Sequence, residues 1–162
     1  MPGVEPPQFR QLLGRFATGV TVLTTRTPGR GGGPIGMTAS SVASVSLDPP
    51  LLLVSVDRRH DMHAALEAAS HFVLNVLAAD QEALSRRFAA DEPNRFAGVG
   101  YHENRQGIAV LDGVLAHIDC QKHSAVPAGD HTVYVGLVVG GSVTERRPLL
   151  YYRGGYASLQ GG

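Results

Sequence analysis

Tryptophan is absent from the 162 residues, and cysteine and lysine occur once each, at Cys120 and Lys122. A lone cysteine cannot close an intrachain disulfide, so nothing here asks for an oxidising compartment, and a cytoplasmic protein is the expectation. Neither sign of charge is in excess, since 14 Lys and Arg balance 14 Asp and Glu. A chain without net charge has no field to draw in nucleic acid, and its basic residues fall in scattered pairs rather than a stripe. Long hydrophobic runs are missing too. The longest nearly uncharged apolar stretch, residues 132–143, is too short to span a bilayer as a helix. The opening Met1–Pro7 has no basic segment leading into an apolar run, so no signal peptide is expected. Neither nucleic acid nor membrane is an expected partner.

What is present suits a folded domain. Hydrophobic residues make up 43% of the chain and charged residues 17%, enough apolar surface for one core and too little charge for disorder. No repeat or linker interrupts the sequence, and a single domain over 1–162 is expected. Phe9, Leu12, Leu13 and Phe16 recur at helical spacing. From Gly19 the chain turns β-branched through Thr25, passes a glycine-rich turn and returns through Pro34 to Ser41, which reads as a hairpin. Strands are predicted at 42–47, 51–56, 71–77, 114–120, 131–143 and 149–152, with helices capped by Asp61 and Asp80. Glycines at 136, 140 and 141 predict bulges in the long strand. Residues 91–113 show little periodicity and read as a surface loop. Strand–helix alternation is too irregular for a doubly wound parallel sheet. The expectation is a mainly β (α+β) fold, a closed antiparallel barrel of about six to seven strands with short peripheral helices.

Few residues carry a chemical signature alone. Gly31-Gly32-Gly33-Pro34-Ile35-Gly36 matches G-x-G-x-x-G, but a dinucleotide fingerprint needs a helix to open at its end, and a strand-like run follows. His60 and His63 share a helical face without a third ligand at defined spacing, so no metal is expected. Cys120 shares the parity of Val114, Ala116 and Ile118, the pattern of a buried thiol. No G-x-S-x-G elbow points to a hydrolase. Hydroxyls crowd the segment Gly36–Ser46, where small side chains leave backbone amides and hydroxyls able to meet a phosphate or a ring carbonyl. The bland alternative is a serine-rich turn. Arg86-Arg87-Phe88 offers a forked phosphate contact or a solvated helix face, and Gly129-Asp130-His131 sets an imidazole at a strand mouth.

Taken together, these segments resemble the short-chain flavin reductase family, the reductase components of two-component flavin-dependent monooxygenases. The resemblance runs in order through Phe16–Thr25, Gly36–Ser41, Ser44–Leu51, Phe72–Leu77, Phe88-Ala89, Gly129-Asp130-His131 and Pro148–Tyr152. It implies an FMN-binding split barrel, a homodimer, and flavin near the subunit interface. By analogy Met37, Thr38, Ala39, Ser40 and Ser41 would line the isoalloxazine and ribityl phosphate. Ser55, Val56 and Asp57 would approach the ring or the ribityl chain, and Arg87 and Phe88 would hold the phosphate end. His131 and Tyr152 would flank the nicotinamide. His60 stands where the family often has a small hydroxyl residue.

The activity implied is reduction of FMN or FAD by NADH or NADPH, with the reduced flavin passed to a separate monooxygenase. Both reactants are nucleotides that carry the redox chemistry themselves, so no covalent catalysis is expected, and His131 would act by positioning. Alternatives are an FMN-retaining oxidase of the pyridoxamine-phosphate-oxidase type and a flavin-binding module without turnover.

Overall fold

A computed structural model describes residues 2–160. Met1, Gly161 and Gly162, which belong to the single-domain expectation, lie outside the described residues. Three helices, α1 (Pro6–Leu13), α2 (Asp61–Ala68) and α3 (Glu82–Ala89), accompany a mainly antiparallel β structure. Among the described residues no helix is long and apolar enough to cross a membrane.

The main sheet contains β2 (Thr21–Arg26), β3 (Pro34–Ala39), β4 (Val42–Leu47), β5 (Pro50–Asp57), β6 (His71–Val76), β9 (Ala116–Ala128) and β10 (His131–Val143). Their order is β3-β2-β6-β9-β10-β5-β4, every neighbour antiparallel. A small sheet joins β1 (Thr18–Gly19) to β11 (Leu149–Tyr152) and β12 (Gly155–Ser158), and β7 (Tyr101–Glu103) pairs with β8 (Ala109–Leu111). The glycine-rich segment at 29–33 is the tip of the β2–β3 hairpin, and a strand follows it.

The expected closed barrel is corrected by this order. The edge strands β3 and β4 are consecutive in the chain, so the sheet must curl until its edges meet at Ser40-Ser41, yet no ladder joins them. A side chain from the 91–113 segment and the main chain of α3 occupy β3 instead. Arg95 Nη1 donates to the carbonyl of Gly36 at 3.1 Å, and Thr38 Oγ1 donates to the carbonyl of Ser85 on α3 at 2.6 Å. A strand edge satisfied this way has less need of a second partner strand.

The core follows the alternation of side chains along each strand. Leu52, Val54 and Val56 of β5 meet Tyr134 of β10, Phe72 and Leu74 of β6, and Leu66 of α2. Tyr134 is fully buried, and its hydroxyl donates to Glu67 Oε1 at 2.6 Å. Burial and that carboxylate push the phenol above its ordinary pKa. The single lysine caps the same C-terminal end of α2, Lys122 Nζ donating to the carbonyls of Leu66 and Glu67 at 2.7 and 2.9 Å. Outside β2 a second cluster, Val22, Leu77, Phe88, Leu111 and Leu149, buries that strand on both faces. Asn75 is a fully buried hub there: Nδ2 donates to the carbonyl of Val22, and Oδ1 accepts from the amide of Leu111.

The opposite half of the sheet is less covered. Leu51, Leu53, Val133, Val135 and Leu137 face outward half-exposed, and Leu47 on the edge is 92% exposed. The expected N-terminal helix is α1, but its apolar stripe is open, with Phe9, Leu12 and Leu13 exposed, as is Phe16 beyond its end.

Candidate functional site

The hydroxyl-rich turn and the strand-end histidine meet across β5. Ser41 Oγ donates to the carbonyl of Ser55 at 3.0 Å, while the amide of Ser55 donates to the carbonyl of Ser41 at 3.3 Å. Two residues further on, Asp57 is the partner of His131 in the β5–β10 register. His131 owes its place to a two-residue turn at Gly129-Asp130, where Gly129 takes a φ of 62° that a side chain would strain. The turn therefore lies on one flank of β5 and the imidazole on the other, a few ångströms further along.

The hydroxyls of the turn are not equivalent. Thr38 has given its proton to the carbonyl of Ser85, and Ser41 has given its own to Ser55. Ser40 is exposed, and its hydroxyl makes no hydrogen bond among the described residues. It is the hydroxyl of this turn left free to donate to a ligand. Ala39 and Val56 turn their side chains into the core, so a ligand reaches them only through the main chain. Met37 packs partly buried against the same core, and Ser55 faces outward with Asp57 and His131.

Charge gathers where β5 ends. Arg59 forks onto Asp57, Nη2 to Oδ2 at 2.8 Å and Nε to Oδ1 at 3.2 Å, and the Arg59 amide adds a third bond. These bonds hold the Asp57 carboxyl well below the usual carboxylate range. Asp130 Oδ1 lies 2.6 Å from His131 Nδ1, and that contact lowers the Asp130 carboxyl as well. A cleft of about 530 Å³ opens beside them, lined by Asp57, Arg59, His60, Asp61, Asp91 and Arg95. His60 is the N-cap of α2, its Nδ1 accepting from the amide of Met62 at 3.0 Å, the role expected of Asp61.

Arg87 and Phe88 point elsewhere. The guanidinium of Arg87 donates to the carbonyls of Asn94, Arg95 and Ala97, which holds the 94–97 turn. Phe88 is fully buried, its ring 4.9 Å from that of Phe96. Tyr152 is 42% exposed on β11 and pairs with Gly155 in a hairpin. A chain of contacts ties that hairpin to the turn: Thr38 to Ser85, Ser85 Oγ to Tyr156 hydroxyl at 2.7 Å, and Tyr156 to Tyr151 with ring centroids 5.4 Å apart.

Arg95, Ser85 and Tyr156 were not singled out by sequence. Arg95 has a side chain only 10% exposed, and it sat in a segment without periodicity. Ser85 breaks the polar face of no motif, and Tyr156 follows a glycine pair that reads as tail. His63 donates to or accepts from Thr132 Oγ1 at 3.0 Å, and no cluster of three metal-ligating side chains occurs among the described residues. Cys120 is buried as its parity predicted, and burial pushes its thiol up to about 12.

Residues 13–160 match a family described as flavin reductase like domain. The reductase subunit HsaB of a flavin-dependent monooxygenase from Rhodococcus jostii is 41% identical over 158 residues, spanning 97% of this chain and 80% of that protein. SmoA of Agrobacterium fabrum, an FMN reductase (NADH), is 43% identical over 157 residues, or 96% of this chain and 88% of its own. Among solved structures, NADH:FAD oxidoreductase SgcE6 of Streptomyces globisporus, in complex with NAD and FAD fragments, matches with a TM-score of 0.89 at 35% identity. That match covers 99% of this chain and 98% of the other.

Proposed function

The chain belongs to the flavin reductase like family, and from that premise we propose that it is an NADH-dependent flavin reductase whose reduced flavin feeds a separate monooxygenase. The observation that carries the reading is the placement of Ser40 and His131 on the two flanks of β5, one a free donor and the other a strand-end imidazole. NADH, a proton and oxidised flavin yield NAD⁺ and reduced flavin, the hydride passing from nicotinamide C4 to flavin N5 by chemistry the two nucleotides carry themselves.

The residues present fit that task. A turn of small side chains admits a flat ring, and Ser40 can donate to the carbonyl edge where negative charge gathers on reduction. Thr38 and Ser41, their protons committed, can only accept from a ring N–H. Ser55 and the main chain of Val56 would meet the ribityl side. His131, its Nδ1 held by Asp130, turns its other nitrogen towards the nicotinamide and fixes that ring without taking a proton from it. Tyr152 covers the other side from the β11–β12 hairpin. At the phosphate end Arg59 is already paired to Asp57, and Arg87 is spent on carbonyls. Recognition therefore falls mainly on the ring, and both FMN and FAD are accepted.

The outward apolar residues of β4, β5 and β10, with the open stripe of α1, support a homodimer, because a second copy would remove that surface from water. A cytoplasmic location follows from dependence on the intracellular NADH pool. The pyridoxamine-phosphate-oxidase type of activity is not favoured, since the relatives are named as reductases.

The test mixes purified protein with NADH and catalytic free FMN or FAD and follows the nicotinamide absorbance. Loss that requires both flavin and protein supports the reading; no flavin-dependent loss overturns it.

A further inference from the structure

Ser85 lies in the middle of α3 and is fully buried, although a serine there gains nothing for the helix. Two bonds leave it in different directions. Its carbonyl accepts from Thr38 Oγ1 at 2.6 Å, holding the start of the hydroxyl turn. Its hydroxyl meets the hydroxyl of Tyr156 at 2.7 Å, holding β12. The Tyr156 ring is fixed further by Arg86, whose guanidinium carbon stands 4.9 Å from the ring centroid, and by the edge of Tyr151. Because β12 pairs with β11 through Tyr151↔Tyr156 and Tyr152↔Gly155, whatever fixes Tyr156 also fixes Tyr152.

The tip of the hairpin is loosely tied. Tyr152, Arg153 and Gly154 are exposed, and the turn is anchored by the Arg153 amide on the carbonyl of Gly14, at the end of an exposed helix. The small sheet that carries the hairpin shares no ladder with the main sheet. The Ser85–Tyr156 bond is the side-chain hydrogen bond between α3 and a hairpin whose other ties to the body are the β1–β11 ladder, the Leu149 amide on the carbonyl of Leu77, and the packing of Leu149 and Tyr156. A bond of this kind sets the position of an element more than it sets stability.

We infer that Ser85 is a positioning residue for hydride transfer: its hydroxyl, through Tyr156, sets the hairpin bearing Tyr152 against the nicotinamide, while its carbonyl separately holds Thr38 of the flavin turn. The inference rests on the flavin reductase reading. It also separates two functions on one residue, because replacing the side chain leaves the carbonyl in place. Ser85→Ala removes the hold on the hairpin and keeps the hold on Thr38.

The experiment compares wild type, Ser85→Ala, Tyr156→Phe and the double variant for flavin affinity by fluorescence titration and for steady-state NADH oxidation. Each single variant is expected to raise KM for NADH about three- to tenfold, the range of one neutral hydrogen bond, with flavin affinity within about twofold of wild type. The double variant is expected to be no worse than either single one, because both remove the same bond. Tyr156→Phe keeps the ring on a half-buried hairpin, so it reports even if Ser85→Ala packs poorly. An unchanged KM for NADH in Tyr156→Phe, or additive losses in the double variant, overturns the inference. An equal loss of flavin affinity and NADH affinity also overturns it, as that marks a general structural role. Failure of the wild type to oxidise NADH with flavin would instead refute the underlying reading.

Discussion

Ser41 and Ser55 hold each other twice, hydroxyl to carbonyl at 3.0 Å and amide to carbonyl at 3.3 Å. This clasp brings the turn between the edge strands β3 and β4 onto β5, and β5 carries the register across to His131. An unclosed sheet thereby gains a fixed corner at the point where a closed barrel would have had a ladder.

The clasp divides the labour of neighbouring serines. Ser40→Ala is expected to weaken flavin binding about three- to tenfold with little change in melting temperature, since a free donor is lost and no protein contact is broken. Ser41→Ala should act mainly on stability, lowering unfolding free energy by about 0.5–1.5 kcal/mol through the lost bond to Ser55, with a smaller loss of flavin affinity than Ser40→Ala. Fluorescence titration and urea unfolding separate the two. Equal effects of both variants on flavin affinity would contradict the assignment.

Asn75 is expected to matter to folding and not to chemistry. Asn75→Leu leaves the amide of Leu111 and the carbonyl of Val22 without their side-chain partners in a fully buried site. A cost of about 2–4 kcal/mol follows, read as a lower urea midpoint, with KM for NADH unchanged in the remaining folded protein.

Gly136 should not tolerate a side chain. A Cβ there would stand 2.6 Å from the Phe72 ring and 2.9 Å from Cys120 Cβ. Gly136→Ala is therefore expected to destabilise by about 1–3 kcal/mol. A thermal melt at or above the wild-type value would show that β10 can shift at its bulge.

Acid should expose the Asp57–Arg59 fork. Arg59 lowers the folded-state pKa of Asp57 from its ordinary 3.8, so the pair adds stability above that value, and the contribution is lost as pH falls through the folded pKa. Wild type should exceed Asp57→Asn in urea midpoint at neutral pH, and the gap should narrow once pH drops below 3.8. A gap that persists or widens in acid would mean Asp57 stabilises by some route other than its charge.

How far the sequence could be read depends on what each signal encodes. The β2–β3 hairpin, the buried Cys120 and the glycine bulges of β10 were legible, because a β-branched run, a parity and a missing side chain each act locally. Register shifts occur at Val135/Gly136 and Val138/Gly140, beside the glycines that foretold them. Closure was not legible. Alternation tells which face of a strand is buried, while Gly36 finds the side chain of Arg95 and Thr38 the main-chain carbonyl of Ser85, partners that no local pattern announces. Likewise Phe9, Leu12, Leu13 and Phe16 spell an apolar stripe without saying what covers it. At the site, the serine turn and the Gly129-Asp130-His131 corner were visible as composition. Which hydroxyl remains free was not, because Ser40, Ser41 and Thr38 differ only in partners 14 and 47 residues away from the latter two.

Anaerobic single-turnover mixing isolates the hydride transfer that His131 is placed to assist. Enzyme saturated with flavin is mixed with NADH, and bleaching of the flavin's visible absorbance is followed in wild type and His131→Ala. Rapid bleaching is expected in wild type and at least tenfold slower bleaching in His131→Ala, about 1.4 kcal/mol of lost positioning, at unchanged flavin affinity. Bleaching at the wild-type rate in His131→Ala would contradict that placement.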